Sequence, residues 1–289
     1  MKPKRIAIFA AIGISLAVII LLVVRSQQAR EPSYQGRSLS SWLEEFQMYG
    51  PEPNSPPAHA INQMGTNTIP CLLNILSYQE SPLRKNIRRT TEKYIGRVSF
   101  LEMNSMRIVE AAYAINVLGT NAQPAFAALT NLFFVPKHSV CAAIALAGMG
   151  SNGVQVLLGA ITNQNFSIRH SAVGGLGHAR SNIETVVPEL IKVLTNQESL
   201  MRGQATTALG LLQSQPELAV PALIERISDS DSQVRGGAII ALGEFGHRAK
   251  DAIPRLKEAF NDSDAVNADL AKQVVDEISS TNGSLKDVK

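Results

Sequence analysis

Three stretches of this chain repeat at one spacing. "IRHSAVGGLGHAR" begins at Ile168, "MRGQATTALGLLQ" at Met201 and "VRGGAIIALGEFG" at Val234, each 33 residues after the one before. Within each unit an apolar or small residue returns four and eight positions later, at Ala172 and Leu176, Ala205 and Leu209, Ala238 and Leu242. That is a single stripe along a helix. A glycine follows at 177, 210 and 243, then a loop, then Val187, Val220 or Ile253 with Pro188, Pro221 or Pro254 directly after it. Proline is tolerated in the first turn of a helix, where no intrahelical donor is lost, so a second helix is expected to begin there. Leu190, Leu223 and Leu256, then Leu194, Ile227 and Phe260, mark its buried face.

A helix pair this small cannot enclose a core of its own and becomes stable by stacking its apolar stripe on the units at either side. Small residues then acquire a purpose. A glycine inside a helix costs about 1 kcal/mol relative to alanine, yet Gly174, Gly175, Gly236 and Gly237, with Ala205 and Ala208, let neighbouring helices approach closely. Gly177, Gly210 and Gly243 are expected to end their helices in the left-handed conformation. Aromatic residues make up only 5% of the chain, as suits thin helices packed through small side chains.

Earlier units are shorter. "AINQMGTNTIPCLLNIL" (60–76), "AINVLGTNAQPAFAAL" (114–129) and "ALAGMGSNGVQVLLGAI" (145–161) share a Gly-Thr/Ser-Asn turn at Gly65, Gly119 and Gly150, with Pro70 and Pro124 five residues after their glycines. A closing half unit has Val266, Leu270, Val274 and Ile278 at helical spacing. The repeats fill 58–279, with an irregular insertion at about 78–110 and a disordered tail at 280–289. Ahead of them, residues 38–57 hold a lead-in helix and a proline-rich break. Ser41 and Glu44 have the spacing of a capping box, and Trp42, Leu43, Phe46 and Tyr49 form one face that covers the end of the array.

The amino terminus is different in kind. After a basic tip, 1–5, residues 6–24 are nineteen without a charge, about 29 Å as a helix and enough to span a bilayer once. The stretch is long for a cleaved signal peptide and lacks a good small-x-small site, so an uncleaved anchor is expected, with a polar tether at 25–37. A short tip with its charges on the leading side places residues 25 onward outside the cytoplasm, as in a single-pass protein of a bacterial inner membrane.

The repeat units, above all "DSQVRGGAIIALGEFG...AIPRL" and its two upstream copies, resemble the HEAT repeat family in its short bacterial, phycobilisome-lyase-type form, and "YQGRSLSSWLEEF" is similar to a lead-in of membrane-tethered proteins that carry such repeats. The resemblance implies an all-α fold, a right-handed α-solenoid of stacked antiparallel helix pairs, here preceded by a single transmembrane helix. It implies a concave face, lined by second helices, that holds a protein partner. Residues pointing away from the buried stripe there are Glu189, Lys192, Glu225, Arg226, Arg255 and Glu258, three of each sign. The resemblance further implies that Arg169, Arg202 and Arg235 form a structural ladder between units; Asn165, Glu198 and Asp231, four residues before each, are the expected partners.

A formal charge of +3 is small for 289 residues, and mixed signs on the second helices do not make a phosphate track, so no nucleic-acid partner is expected. The one local excess is "SPLRKNIRRTTEKYIGRV", where Arg84, Lys85, Arg88 and Arg89 crowd one face and residues 78–107 carry a net +4. That helix is the alternative site, a contact with anionic lipid. The five histidines share no metal-ligand spacing, no strand precedes the glycines of "GGLGHAR", and no nucleophile has a base nearby in sequence. No catalytic residue, cofactor, metal or small-molecule substrate is expected; a lyase activity, the remote alternative implied by the subtype, has no residue to carry it. Cys71 and Cys141 sit in apolar stretches and are expected as buried thiols, with a single bridge between them left open.

Overall fold

The computed structural model describes residues 31–50, 52–78 and 100–280, with side chains from 106 onward in the last stretch. The expected anchor at 6–24, Arg84, Lys85, Arg88 and Arg89, and the tail beyond residue 280 lie outside the described residues. A two-stranded antiparallel hairpin comes first, β1 (Ser33–Tyr34) and β2 (Arg37–Ser38). Gln35 and Gly36, both at positive φ (50° and 74°), make its two-residue turn. Helices follow: α1 (Leu39–Leu43), α2 (Phe46–Tyr49), α3 (Pro56–Met64), α4 (Ile69–Leu76), α5 (Phe100–Leu118), α6 (Phe126–Phe133), α7 (Ser139–Gly148) and α8 (Gly150–Ala160). The 33-residue units supply α9 (Phe166–Leu176), α10 (Ile183–Val193), α11 (Ser199–Leu212), α12 (Pro216–Arg226), α13 (Ser232–Phe245) and α14 (Ile253–Glu258), and α15 (Ala265–Ser280) closes the array.

The first helices α3, α5, α7, α9, α11, α13 and α15 pack each on the next, and every second helix from α4 to α14 packs on the first helix that follows it. Apolar burial is continuous along this line, from Leu39 through Leu146 and Leu209 to Ile278, with no unit holding a core of its own. This is the one-dimensional stacking of a helical repeat array. α5 already runs from Phe100, so the helical array resumes ten residues before the expected end of the insertion at 110.

Several local expectations are corrected. Gly177 closes its helix at φ −62°, and neither Gly210 nor Gly243 has a positive φ. Their task is contact: a Cβ would lie 2.8 Å from Ala208 Cα at Gly177, 3.0 Å from Ala241 Cα at Gly210 and 3.1 Å from Val274 Cγ2 at Gly243. The glycine that turns left-handed is Gly246 (φ 56°), three residues later. Pro188 and Pro221 are not in first turns, because α10 and α12 begin five residues earlier behind left-handed Asn182 and Gln215. In the first two late units the loop gives way to an extra helical turn ahead of the proline, whereas the third makes a 3-10 turn, Gly246–Ala252, as the early loops do at Gly65–Thr68 and Gly119–Ala125.

At the amino-terminal end, Ser38 rather than Ser41 caps α1, accepting from the Ser41 N–H at 3.4 Å. Trp42 is buried over the end of the array, donates Nε1–H to Tyr34 O at 3.2 Å and lies under the Arg37 guanidinium, whereas Tyr49 is exposed. Residues 31–37, the expected end of the tether, are therefore part of the fold, and Glu31 accepts from the Ser40 N–H and hydroxyl. In α15 the buried stripe is Ala268, Ala271, Val274, Val275 and Ile278, while Val266 is exposed. Steps of four residues drift about 40° each around a helix, so a stripe drawn at i, i+4, i+8 and i+12 leaves the core at one end. Cys71 and Cys141 are free and half-buried, not fully enclosed.

Candidate partner-binding surface

What rigidifies the surface is a motif in the loops between units. Asn163, Asn196, Asp229 and Asp262, 33 residues apart, each accept with Oδ1 the backbone N–H two residues on, at 2.8–3.0 Å. The residue so placed then caps the next helix where it is Asn165, Asp231 or Asp264. Arg202 clamps Asp229 of the following unit through Nε and Nη2 at 2.8 and 2.6 Å and spends Nη1 on Asn196 O and Gln197 O. Arg235 does the same with Asp262, at 2.7 Å for both bonds, and with Asp229 O and Ser230 O.

Arg169 departs from this, because the position 27 residues on is Asn196. It reaches instead to both oxygens of Glu198, at 2.6 and 2.8 Å. None of the three expected pairs forms, since Glu198 is held by Arg169 of the preceding unit and not by Arg202. Asn165 and Asp231 are taken by helix caps, and each arginine turns forward to the next unit rather than back along its own. Burial works to raise the Asp229 carboxyl, but the bond from Arg202, the Asp231 N–H and the charges of Arg202 and Arg226 outweigh it and hold it below the ordinary range. Asp262 is held low chiefly by its bond to Arg235. With the Asp229 side chain 4% and that of Arg202 11% exposed, this is a half-buried, bidentate pair.

On the second helices the six expected surface residues pair among themselves. Glu189 meets Lys192 at 2.7 Å, Glu225 meets Arg226 at 3.3 Å, and Arg255 meets Glu258. Arg226 also donates to Leu194 O of the preceding unit at 3.2 Å, and Arg255 to Ser228 Oγ, so both act partly within the array. Lys192, Glu225 and Glu258 occupy one repeat position on α10, α12 and α14, and all three are exposed.

A second feature lies at the other end. Phe46 and Gln47 of α2 and Met106, Val109, Glu110 and Tyr113 of α5 line a cleft of about 420 Å³. Glu110 is 3% exposed; Gln47 Nε2 donates to its Oε1 at 2.6 Å, and burial pushes its carboxyl above the ordinary value. No sequence pattern marks this cleft, since its two walls come from segments some 60 residues apart and neither repeats. Elsewhere burial raises the Cys141 thiol to about 11 and lowers His170 and His178, the last helped by Arg180. Among the described residues no three of His, Cys, Asp or Glu are grouped to hold a metal ion, and no helix is long and apolar enough to cross a membrane.

Helix pairs stacked in one direction, latched by a forward-reaching arginine, define an α-helical repeat array. Residues 187–274 match the family described as HEAT repeats. A comparison with curated proteins yields no match. Among solved structures the chain is similar to an engineered protein (20% identity, 73% of this chain and 96% of that one, TM-score 0.40). A designed armadillo repeat protein in complex with the peptide (KR)4 is 16% identical (72% and 99%, TM-score 0.41). Human deoxyhypusine hydroxylase in complex with glycerol is 17% identical (92% and 98%, TM-score 0.38). At these scores the likenesses carry nothing about activity or partner to this chain.

Proposed function

We propose that this protein is a non-catalytic scaffold that holds another protein on the face lined by its second helices, tethered to a membrane through residues 6–24 with the array outside the cytoplasm. The observation that carries the reading is the register of Lys192, Glu225 and Glu258, an exposed row of one cation and two anions displayed on a backbone latched by Arg169, Arg202 and Arg235. Mixed charge on a rigid support suits specific contact with a protein, where complementary potentials set partner choice and approach rate. Anchoring keeps the partner near the bilayer and raises its local concentration.

The test compares proteins cross-linked to the full chain in its native membrane with those cross-linked after Lys192→Glu, Glu225→Lys and Glu258→Lys are combined. The reading requires that specific partners be lost in the variant; an unchanged set sinks it. Protease added to spheroplasts, with the inner membrane exposed and sealed, should cut the array. If Arg84, Lys85, Arg88 and Arg89 instead make the functional contact, replacing them with serine removes flotation with anionic vesicles at low salt and leaves the cross-links untouched.

A further inference from the structure

The cleft between α2 and α5 carries a signal that the second-helix row lacks. Its walls are largely apolar, yet Glu110 stands among them with Oε1 satisfied by Gln47 and Oε2 buried without a hydrogen-bond partner. Native proteins leave few buried polar atoms in that condition, and a donor arriving in the cleft would relieve it. Arg107 favours the charged carboxylate but commits Nη2 to Ser40 Oγ at 2.6 Å, and Glu44 opposes it. Met106, four residues before Glu110 on the same side of α5, is 44% exposed. Its flexible thioether chain can turn aside and open the way to Oε2.

The geometry points to this cleft as an anchoring pocket for a lysine or arginine side chain of a partner protein. The methylene stem lies along Phe46, Met106 and Tyr113, and the cationic head donates to Glu110 Oε2. Long cationic side chains bind in this way, burying their stems on apolar surface while the head keeps a polar partner. The Tyr113 ring, held between Phe46 at 6.4 Å and His178 at 5.7 Å, is a fixed wall for it. The inference shares with the scaffold reading only that the occupant is a protein, and it uses a different surface.

The probe is N-acetyl-arginine methylamide, titrated into the full chain in detergent with its methionine methyl groups labelled for NMR and the Met106 signal assigned through Met106→Leu. The Met106 signal should shift saturably. The citrulline counterpart, of the same shape without the charge, should bind roughly tenfold more weakly or worse. Glu110→Gln should abolish the arginine response while its melting curve shows it folded. Equal response to arginine and citrulline, or none to arginine, overturns the proposal in the unmutated protein alone. Loss of cross-links in the second-helix variant leaves this result untouched, so the two readings fail separately.

Discussion

The early and late joints of this array are built from the same stacking and latched by different chemistry. Between α5, α7 and α9 the bonds are neutral. Asn116, buried at 2% exposure, donates Nδ2–H to Ile144 O at 2.8 Å and to His178 O at 3.2 Å, and the Ser139 and Ser171 hydroxyls pair at 2.7 Å. Backbones nearly touch there, for a Cβ on Gly148 would lie 2.3 Å from Asn116 O. Between α11, α13 and α15 the tightest neighbours of a glycine Cβ are side chains, Thr206 Oγ1 at 2.5 Å from Gly237 and Asn267 Oδ1 at 2.5 Å from Gly236, and an arginine–carboxylate pair spans each joint. The early joint sets backbone against backbone, and the late joint sets glycines under side chains beside a charged latch.

The largest expected effect strikes a late joint. Arg202→Ala strands Asp229 at 4% exposure with only the more distant Arg226 for charge, 3.7 Å away. Removing one partner of a half-buried, hydrogen-bonded charge pair costs up to about 3 kcal/mol. Hydrogen exchange should rise in α11 to α13 first, because units of an array open with their neighbours. A loss spread evenly to α3 and α5 would mean the joints are not independent. Next in size is Gly148→Ala, which forces α5 and α7 apart and costs on the order of 1–3 kcal/mol as overpacking. Its exchange signature should be confined to α5, α7 and α9, and a harmless substitution would deny the early joint its dependence on backbone contact.

How much of this was legible follows from the same contrast. The late units repeat Ile168, Met201 and Val234 with their arginines because each makes the same joint, so periodicity revealed helix pairs and their stacking. The partners of Arg202 and Arg235 were legible too, in the "DSD" at 229–231 and 262–264, but only once the loop is known to place the first aspartate under the preceding unit's arginine. Spacing along one helix suggested Asp231, four residues before Arg235, which is the capping position. Gly177 misled for a related reason, since a glycine near a helix end serves a turn or a contact and only the neighbour, Ala208, decides. Glu110 was out of reach, because a carboxylate within a long helix is ordinary until α2 covers it.

Acid should separate the two ends. Asp229 and Asp262 titrate below their ordinary value, so what their clamps contribute is fully present above about pH 4, the unfolded carboxylate range, and is lost as pH falls through the depressed folded values. Glu110 is raised, so its linkage has the opposite sign: its contribution is present below the unfolded value and lost as pH climbs through the folded one. As pH falls from neutrality, protection from exchange, corrected for the intrinsic pH dependence of amide exchange, should therefore rise in α2 and the adjoining part of α5 while that of α11 to α15 holds; below about pH 4 the late joints should open. Glu110→Gln should erase the first change and spare the second.

The smallest effect sharpens the comparison within the late units themselves. Arg169 holds Glu198 only because position 196 is asparagine where the later units have Asp229 and Asp262. Glu198 is 46% exposed, so the pair contributes about 0.2–1 kcal/mol. In Asn196→Asp the side chain at 196 can still accept the N–H of residue 198 and can now also take both arms of Arg169, as Asp229 takes those of Arg202. A double-mutant cycle between Arg169→Ala and Glu198→Gln should report that coupling in the natural protein and almost none in the Asn196→Asp background. Persistence of the coupling would mean that loop geometry, and not the carboxylate at that one position, selects which acid the arginine reaches.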